Sequence, residues 1–269
     1  MRRIDIKDVQ SMLLELMKEV HLFLNKNELK YYLLGGSALG AARHEGFIPW
    51  DDDIDIGMLR EDYESFLAIS DRFNSDYEII NFKNAKNCDF GLTRIYFPNT
   101  YIHNPTIDKT KLDKRLYFDI FPIDNVPDDK VQRDMFEKKI LRKKRLLQLV
   151  DVHDYGNPKM VLVVKKMISI GLSPFRNAIL CSFDRLLKKY RYVETSKVCS
   201  LCSQYSFEKQ VMPRTVYGEP TLHTFEDVEL YIPERVAQYL TTLFGEDYMS
   251  LPPEEKRRRG FDIYVMDDA

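Results

Sequence analysis

Apolar residues recur at three- and four-residue steps near the amino terminus: Val9, Met12, Leu13, Leu16, Met17, Val20, Phe23 and Leu24. That period places them on one side of an amphipathic first helix. The pattern then shortens. Tyr31 to Leu34 reads as a strand running into Gly35-Gly36-Ser37, and Ser37 to His44 as a helical turn with Ser37 as its cap. Gly46 to Asp52 is expected to be a loop fixed by Pro49, and Asp53 to Met58 alternates as a strand does. A helix from about Arg60 to Phe73 follows, then three strands: Tyr77 to Phe82, Leu92 to Phe97 and Tyr117 to Phe121.

From Pro127 to about Tyr192 the pattern is mostly helical, with breaks at Gly156-Asn157-Pro158 and Ser173-Pro174. A β segment near Phe225 to Ile232 precedes a last helix that begins after Pro233. Strands early and helices late predict an α+β fold, a mixed sheet with flanking helices and an appended, mostly helical region. The expected units are a core over residues 1–126, a basic helical region over 127–215 and a C-terminal segment, 216–269, that packs back on the core.

Composition supports a real core: of 269 residues, 44% are hydrophobic and 30% charged, which excludes a disordered chain. The longest apolar stretch, Met160 to Leu172, is interrupted by Lys165 and Lys166 and is shorter than the roughly 20 residues that span a bilayer. The opening MRRIDIKD has no apolar stretch of secretory type, so a cytoplasmic protein is expected, with peripheral contact at the inner membrane face. Cys88, Cys181, Cys199 and Cys202 suit a reducing compartment. Cys199 and Cys202 form a single C-x-x-C, and zinc there would need Cys181, His153 or His223 as well.

Charge is uneven. Lys130 to Tyr192 holds 16 Lys and Arg against five Asp and Glu, a net of +11. With −2 for the whole chain, the rest carries −13. The densest run is Lys138 to Arg145. It reads either as a solvated helix face or as a surface for an anionic polymer or the anionic cytoplasmic leaflet. No recognition motif accompanies it, so nucleic acid is not an expected partner.

The chemistry concentrates between Gly35 and Asp55. In a strand Asp53 and Asp55 share one face while Ile54 and Ile56 pack on the other, and Asp51 joins them if the strand extends back. Two carboxylates about 4 Å apart repel by roughly 4 kcal/mol at an effective dielectric near 20, so their pairing implies a cation. Hard oxygen ligands suit Mg²⁺ or Mn²⁺. An acidic turn explains Asp51 and Asp52 but not aspartates inside a strand. Upstream, a strand entering a Gly-rich turn and a helix start offers amide N–H groups to an anion. A third carboxylate, Asp119, sits among aromatic residues of an expected strand, as a metal ligand or a base. Asp124 reads as a turn or helix-cap residue.

The string GGSALGAARHEGFIPWDDDIDIGM, Gly35 to Met58, resembles the signature of the LicD family of phosphotransferases, which includes the fukutin-type enzymes. The resemblance continues in FDIFPID (Phe118 to Asp124), FEDVELYIP (Phe225 to Pro233) and FGEDYMSLPPEEKR (Phe244 to Arg257). It implies a nucleotidyltransferase-like fold in the core. It also implies a divalent metal held by Asp53, Asp55 and Asp119, with Asp51, and a donor contacted by Gly35, Gly36 and Ser37. Arg43 and Arg94 are candidate phosphate clamps, and Trp50 a further substrate contact. The reaction it implies moves a phosphorylated alcohol from a CDP-linked donor onto a sugar hydroxyl of a glycan or lipid-linked glycan acceptor, teichoic acid or lipopolysaccharide, releasing CMP. Phosphocholine from CDP-choline is the expected group, with Trp50, Tyr96, Tyr101 and Tyr117 available to a quaternary ammonium. Glycerol-phosphate or ribitol-phosphate would instead use Asn99, Thr100 and Asn104. Rival readings are nucleotidyl transfer releasing pyrophosphate and a non-enzymatic scaffold for an anionic polymer or membrane.

Overall fold

The computed structural model describes residues 1–81, 84, 91–103, 113–150, 159–257 and 261–266, without the side chains of 159 and 256. The expected breaks at 156–158, and Phe82, Cys88, Asn104 and His153, lie outside them. After β1 (Arg2–Ile4), helix α1 (Ile6–Lys26) starts where the Asp5 side chain accepts the Asp8 N–H. Its buried stripe is Val9, Leu13, Leu16, Met17, Val20 and Leu24, the predicted periodicity.

The central sheet runs β2 (Tyr32–Leu33), β3 (Asp55–Leu59), β7 (Tyr117–Val126), β5 (Thr93–Tyr96), β4 (Glu78–Ile80). Strands β3 and β7 are parallel and the other pairs in that row antiparallel. The mixed sheet with flanking helices is the expected α+β arrangement. Strand β7 is central because Phe118, Ile120 and Ile123 are buried between layers. It runs five residues beyond the predicted end at Phe121, and its far half pairs with β8 (Lys197–Cys199), which pairs with β9 (Val211–Pro213). Two strands inside the expected helical region therefore belong to the sheet. Three-residue strands carry too little periodicity to be read in advance.

Helix α2 (Gly35–His44) and helix α3 (Arg60–Ile69), extended by a 3₁₀ turn at Ser70–Arg72, flank the sheet. A second sheet orders β1, β12 (Asp262–Val265) and β6 (Thr100–His103), all antiparallel. The segment near Phe225 is a hairpin, β10 (Thr221–Phe225) and β11 (Val228–Ile232), turned by Glu226 at φ 55° and Asp227. Short helices α7 (Phe207–Gln210) and α8 (Arg214–Tyr217) precede it, and α9 (Val236–Phe244) follows.

Helices α4 (Lys130–Val150), α5 (Lys159–Leu172) and α6 (Arg176–Leu187) carry much of the basic charge. A second hydrophobic cluster joins Phe136, Ile140, Leu147, Ile179, Leu180 and Phe183 to Cys199 and Cys202. Burial pushes the Cys202 thiol up to about 12, so it stays a neutral packing group. Among the described residues, no group of three His, Cys, Asp or Glu side chains is drawn together to hold a metal, a zinc set at Cys199 and Cys202 included.

Asp124 is not a turn residue. It lies in β7, where Arg60 donates from Nε at 2.6 Å and from Nη2 at 2.8 Å to its two oxygens. Both side chains are buried. Arg60 also meets Glu64, which Lys188 contacts at 2.9 Å, so this ionic network ties α3 to the end of the helical region.

Candidate active site

The site grows from one register. Asp55 pairs directly with Asp119 across parallel strands β3 and β7, and Arg94 of β5 pairs with Asp119 from the other side. Arg94 Nε donates to Asp119 Oδ1 at 2.8 Å, and its guanidinium lies 4.1 Å from the centre of the Tyr117 ring. The residue expected to clamp phosphate is thus first a partner of the third carboxylate.

Strand β3 begins at Asp55, two residues later than the alternation implied, so Asp53 precedes the ladder. Ile54 and Ile56 are buried, as predicted. The loop before the strand is held by Gln10, whose Nε2 donates to the Ile48 and Asp51 carbonyls at 3.2 and 2.9 Å. The cluster is electrostatically crowded. Burial first, then the charges of Asp53, Asp119 and Asp51, raises Asp55 well above the usual carboxylate range, against Arg94. Asp51 is pushed up to about 6 by burial and by Asp52. Asp53 opens to solvent on one side, yet the protein packed around it and the charges of Asp51, Asp52 and Asp119 raise it too. Burial also raises Asp119, although Arg94 pulls the other way.

Such crowding is what a divalent cation would relieve, and an all-carboxylate donor set suits a hard ion. The chemistry of the donor set therefore suits a hard ion such as Mg²⁺ or Mn²⁺. The side chains as they stand do not close a ligand sphere, in keeping with mutual repulsion.

Above the carboxylates, α2 starts at Gly35, not after Ser37. Gly35 sits at φ +49°, which favours glycine. A Cβ on Gly36 would stand 2.7 Å from Asp51 Oδ2, so only glycine lets that carboxylate lie against the helix start. Ser37 is not the cap: its Oγ accepts the Asp55 N–H at 2.9 Å and ties the helix to the strand. The Gly35 N–H goes to Tyr239 Oη at 2.9 Å. The amides available to an anion by helix geometry are then those of Gly36 and Ser37.

Other expected contact residues have partners within the protein. Arg43 Nη1 donates to the carbonyls of Tyr248 and Ser250 at 2.9 and 3.1 Å, holding the C-terminal segment. Trp50 lies edge-on to His44 at 6.5 Å between ring centres, with the Arg257 guanidinium 5.5 Å from its own. Lys114 stands over Tyr101 and Arg115 over Tyr96, so Trp50, Tyr96, Tyr101 and Tyr117 each already meet a cation and do not form one cage. Thr100 Oγ1 donates to the Phe97 carbonyl and accepts the Leu116 N–H. Lys143 and Lys144 of the basic run are half-buried and bonded to Ser182 Oγ and the Ser203 carbonyl.

Two tyrosines escaped the sequence reading. Tyr205 has a ring carbon 3.9 Å from the Gly35 Cβ position. Burial and then Asp55, Asp53 and Asp51 raise its phenol to about 12, so it faces the carboxylates as a neutral group. Tyr239 of α9 holds Gly35. Neither lies within a motif, and the pairing of β8 with β7 and the packing of α9 on α2 bring them in.

Residues 28–150 match the family model described as LicD/FKTN/FKRP, nucleotidyltransferase domain. The lipopolysaccharide cholinephosphotransferase LicD of Haemophilus influenzae is 27% identical over 273 residues, 96% of each chain. An uncharacterized protein of Rickettsia prowazekii is 32% identical over 118 residues, 41% of this chain and 44% of that one. The human ribitol 5-phosphate transferase FKRP is 59% identical over 34 residues, 13% of this chain and 7% of that protein. The region matched by the model contains Asp51, Asp53, Asp55, Arg94 and Asp119, and over that region the chain is similar to the LicD family.

Proposed function

We propose that this protein is a phosphotransferase that moves phosphocholine from CDP-choline onto a hydroxyl of a glycan or lipid-linked glycan acceptor, lipopolysaccharide or teichoic acid. The observation that carries the reading is the register of Asp55 beside Asp119 under a Gly-Gly helix start, with Arg94 on the outer side. The strand–turn–helix, the D-x-D and the description of the matching family model support a nucleotidyltransferase-like core. The acceptor oxygen attacks the β-phosphorus, a new P–O bond forms, the bond to CMP breaks, and the acceptor proton passes to a carboxylate or water.

Asp53, Asp55 and Asp119, with Asp51, would hold Mg²⁺ or Mn²⁺. A divalent cation bound there supplies charge neutralisation to the diphosphate as CMP departs. The N–H groups of Gly36 and Ser37 contact phosphate oxygens without reorganising, which is the economical form of transition-state stabilisation. Asp119, paired with Arg94, suits binding rather than proton abstraction. Asp53, at the solvent edge, would take the acceptor proton. Tyr205 borders the carboxylates and offers aromatic surface to a quaternary ammonium.

The similarity to FKRP favours a second reading, transfer of ribitol-phosphate by the same residues. One assay separates the possibilities. CDP-choline, CDP-ribitol and CDP-glycerol are compared by kcat/KM with one acceptor and Mg²⁺, following CMP. A preference of about tenfold for a polyol donor, ~1.4 kcal/mol of discrimination, contradicts choline alone. Pyrophosphate released from CTP, with no CMP from any CDP-alcohol, contradicts phospho-alcohol transfer altogether.

A further inference from the structure

Helix α5 is turned inside out. At 100° per residue, Met160, Val164 and Met167 fall on one line, with Val163 and Ile170 beside them, and all are exposed. Met160 is 81%, Ile170 74% and Met167 69% exposed. The half-buried Leu162, Lys165, Ser169 and Leu172 lie toward the opposite side, where Ser169 Oγ donates to the Val150 carbonyl of α4 at 2.5 Å. Phe175, just beyond the helix, is also exposed. A surface helix of a globular protein normally turns its apolar stripe inward. An outward apolar face of this size marks a surface that is covered in use.

The surrounding charge says what covers it. Lys166 is exposed at the flank of α5, and Lys138, Lys139, Arg142 and Arg145 are exposed on α4, against which α5 packs. The segment from Lys130 to Tyr192 carries 16 basic against five acidic residues. A second copy of the same face would set that charge against itself, whereas anionic lipid complements it. Apolar side chains flanked by Lys and Arg suit the headgroup boundary, where the apolar face sinks and the cations stay at the surface. At about 1.5 Å per residue the 14-residue helix is about 21 Å long, short of the ~30 Å hydrocarbon core, so it lies in the interface. Among the described residues no helix is long and apolar enough to cross a membrane.

We propose that the outward face of α5, centred on Val164 and Met167, docks this protein onto an anionic membrane surface. The proposal is independent of which donor the site uses. It moves the contact from the run at Lys138 to Arg145 alone, two of whose lysines are engaged within the protein, to an apolar helix that the run supports electrostatically.

The test is co-sedimentation of the full chain with vesicles of phosphatidylcholine, with and without phosphatidylglycerol. The wild type is expected to bind the phosphatidylglycerol vesicles about tenfold or more tightly than the neutral ones. Val164→Asp with Met167→Asp, at exposed positions that contribute no core packing, is expected to lose that binding while its melting temperature and its turnover of soluble donor stay unchanged. Met167→Trp is expected to tighten it. If the wild type fails to bind, if the double variant binds equally, or if Met167→Trp changes nothing, the proposal is overturned. A wild type that self-associates without binding vesicles, and a double variant that is monomeric, would overturn it in favour of an interface between copies.

Discussion

Asp119 and Asp124 stand five residues apart on the same strand, yet their surroundings differ in kind. Asp124 is matched: one guanidinium takes both its oxygens, and the pair is closed to solvent. Asp119 accepts from Arg94 Nε and faces Asp55 in direct register, with Asp51 and Asp53 beside it. A carboxylate whose charge is met within the protein holds the fold together. One crowded by other carboxylates raises the energy of the empty protein, and that is tolerated where a ligand brings the missing positive charge.

The comparison breaks most visibly by mutation of its two members. Asp119→Asn and Asp55→Asn are each expected to lower CMP release by about 10³-fold or more, ~4 kcal/mol, without lowering the melting temperature. Asp124→Asn is expected to do the reverse, costing about 3–5 kcal/mol of stability in urea unfolding because buried Arg60 loses its two-oxygen partner and keeps the longer contact to Glu64. Arg60→Met with Asp124→Leu is expected to recover most of that loss. If Asp124→Asn removed turnover and left stability intact, the division between the two aspartates would be wrong.

A smaller effect sharpens the functional side. In Gly36→Ala the new methyl would collide with Asp51 Oδ2, and the flexible carboxylate gives way rather than the helix. Turnover is expected to fall about 100-fold, with the circular dichroism spectrum unchanged. Wild-type kcat in this variant would remove Asp51 from the site.

The same contrast explains what was legible beforehand. Asp53, Asp55, Gly35 and Gly36 stood out because each breaks a local rule: aspartate in a strand, paired glycines at a helix start. Asp119 stood out as a charge in an aromatic run. Asp124 was misread because its partner, Arg60, is 64 residues away and no local pattern joins them. Tyr205 and Tyr239 were missed for the same reason. Ser37 looked like a cap because its side chain suits one, but its hydroxyl is spent on the Asp55 amide. The strands β8 and β9 are short, and their place is decided by pairing with the far half of β7 rather than by their own periodicity.

The pH dependence of the metal-free protein tests the crowding itself. Asp51 titrates at about 6 in the folded protein against 3.8 as a reference, raised by burial and then by Asp52. The folded state therefore holds this proton more tightly than the unfolded chain. The corresponding stability is fully present below the unfolded value and is lost as pH rises toward 6. Between those values the wild type is expected to lose on the order of 1 kcal/mol relative to Asp51→Asn, read from paired urea titrations. Curves that run parallel would show that Asp51 is not crowded. The smallest expected effect is at the thiols: a zinc chelator should leave the melting temperature unchanged, and unfolding by it would make Cys199 and Cys202 a structural metal site.

The central claim is that the carboxylates at Asp51 to Asp55 and Asp119 bind a nucleotide-linked donor through a divalent cation. It is tested most directly by the melting shift that CDP-choline produces, measured with Mg²⁺ and with chelator, in the wild type and in Asp55→Asn. A ligand that binds only the native state raises the melting temperature by mass action. The account predicts a clearly larger shift with Mg²⁺ in the wild type and no Mg²⁺-dependent difference in Asp55→Asn. Equal shifts with Mg²⁺ and chelator in the wild type, or a Mg²⁺-dependent shift that survives in Asp55→Asn, would contradict it.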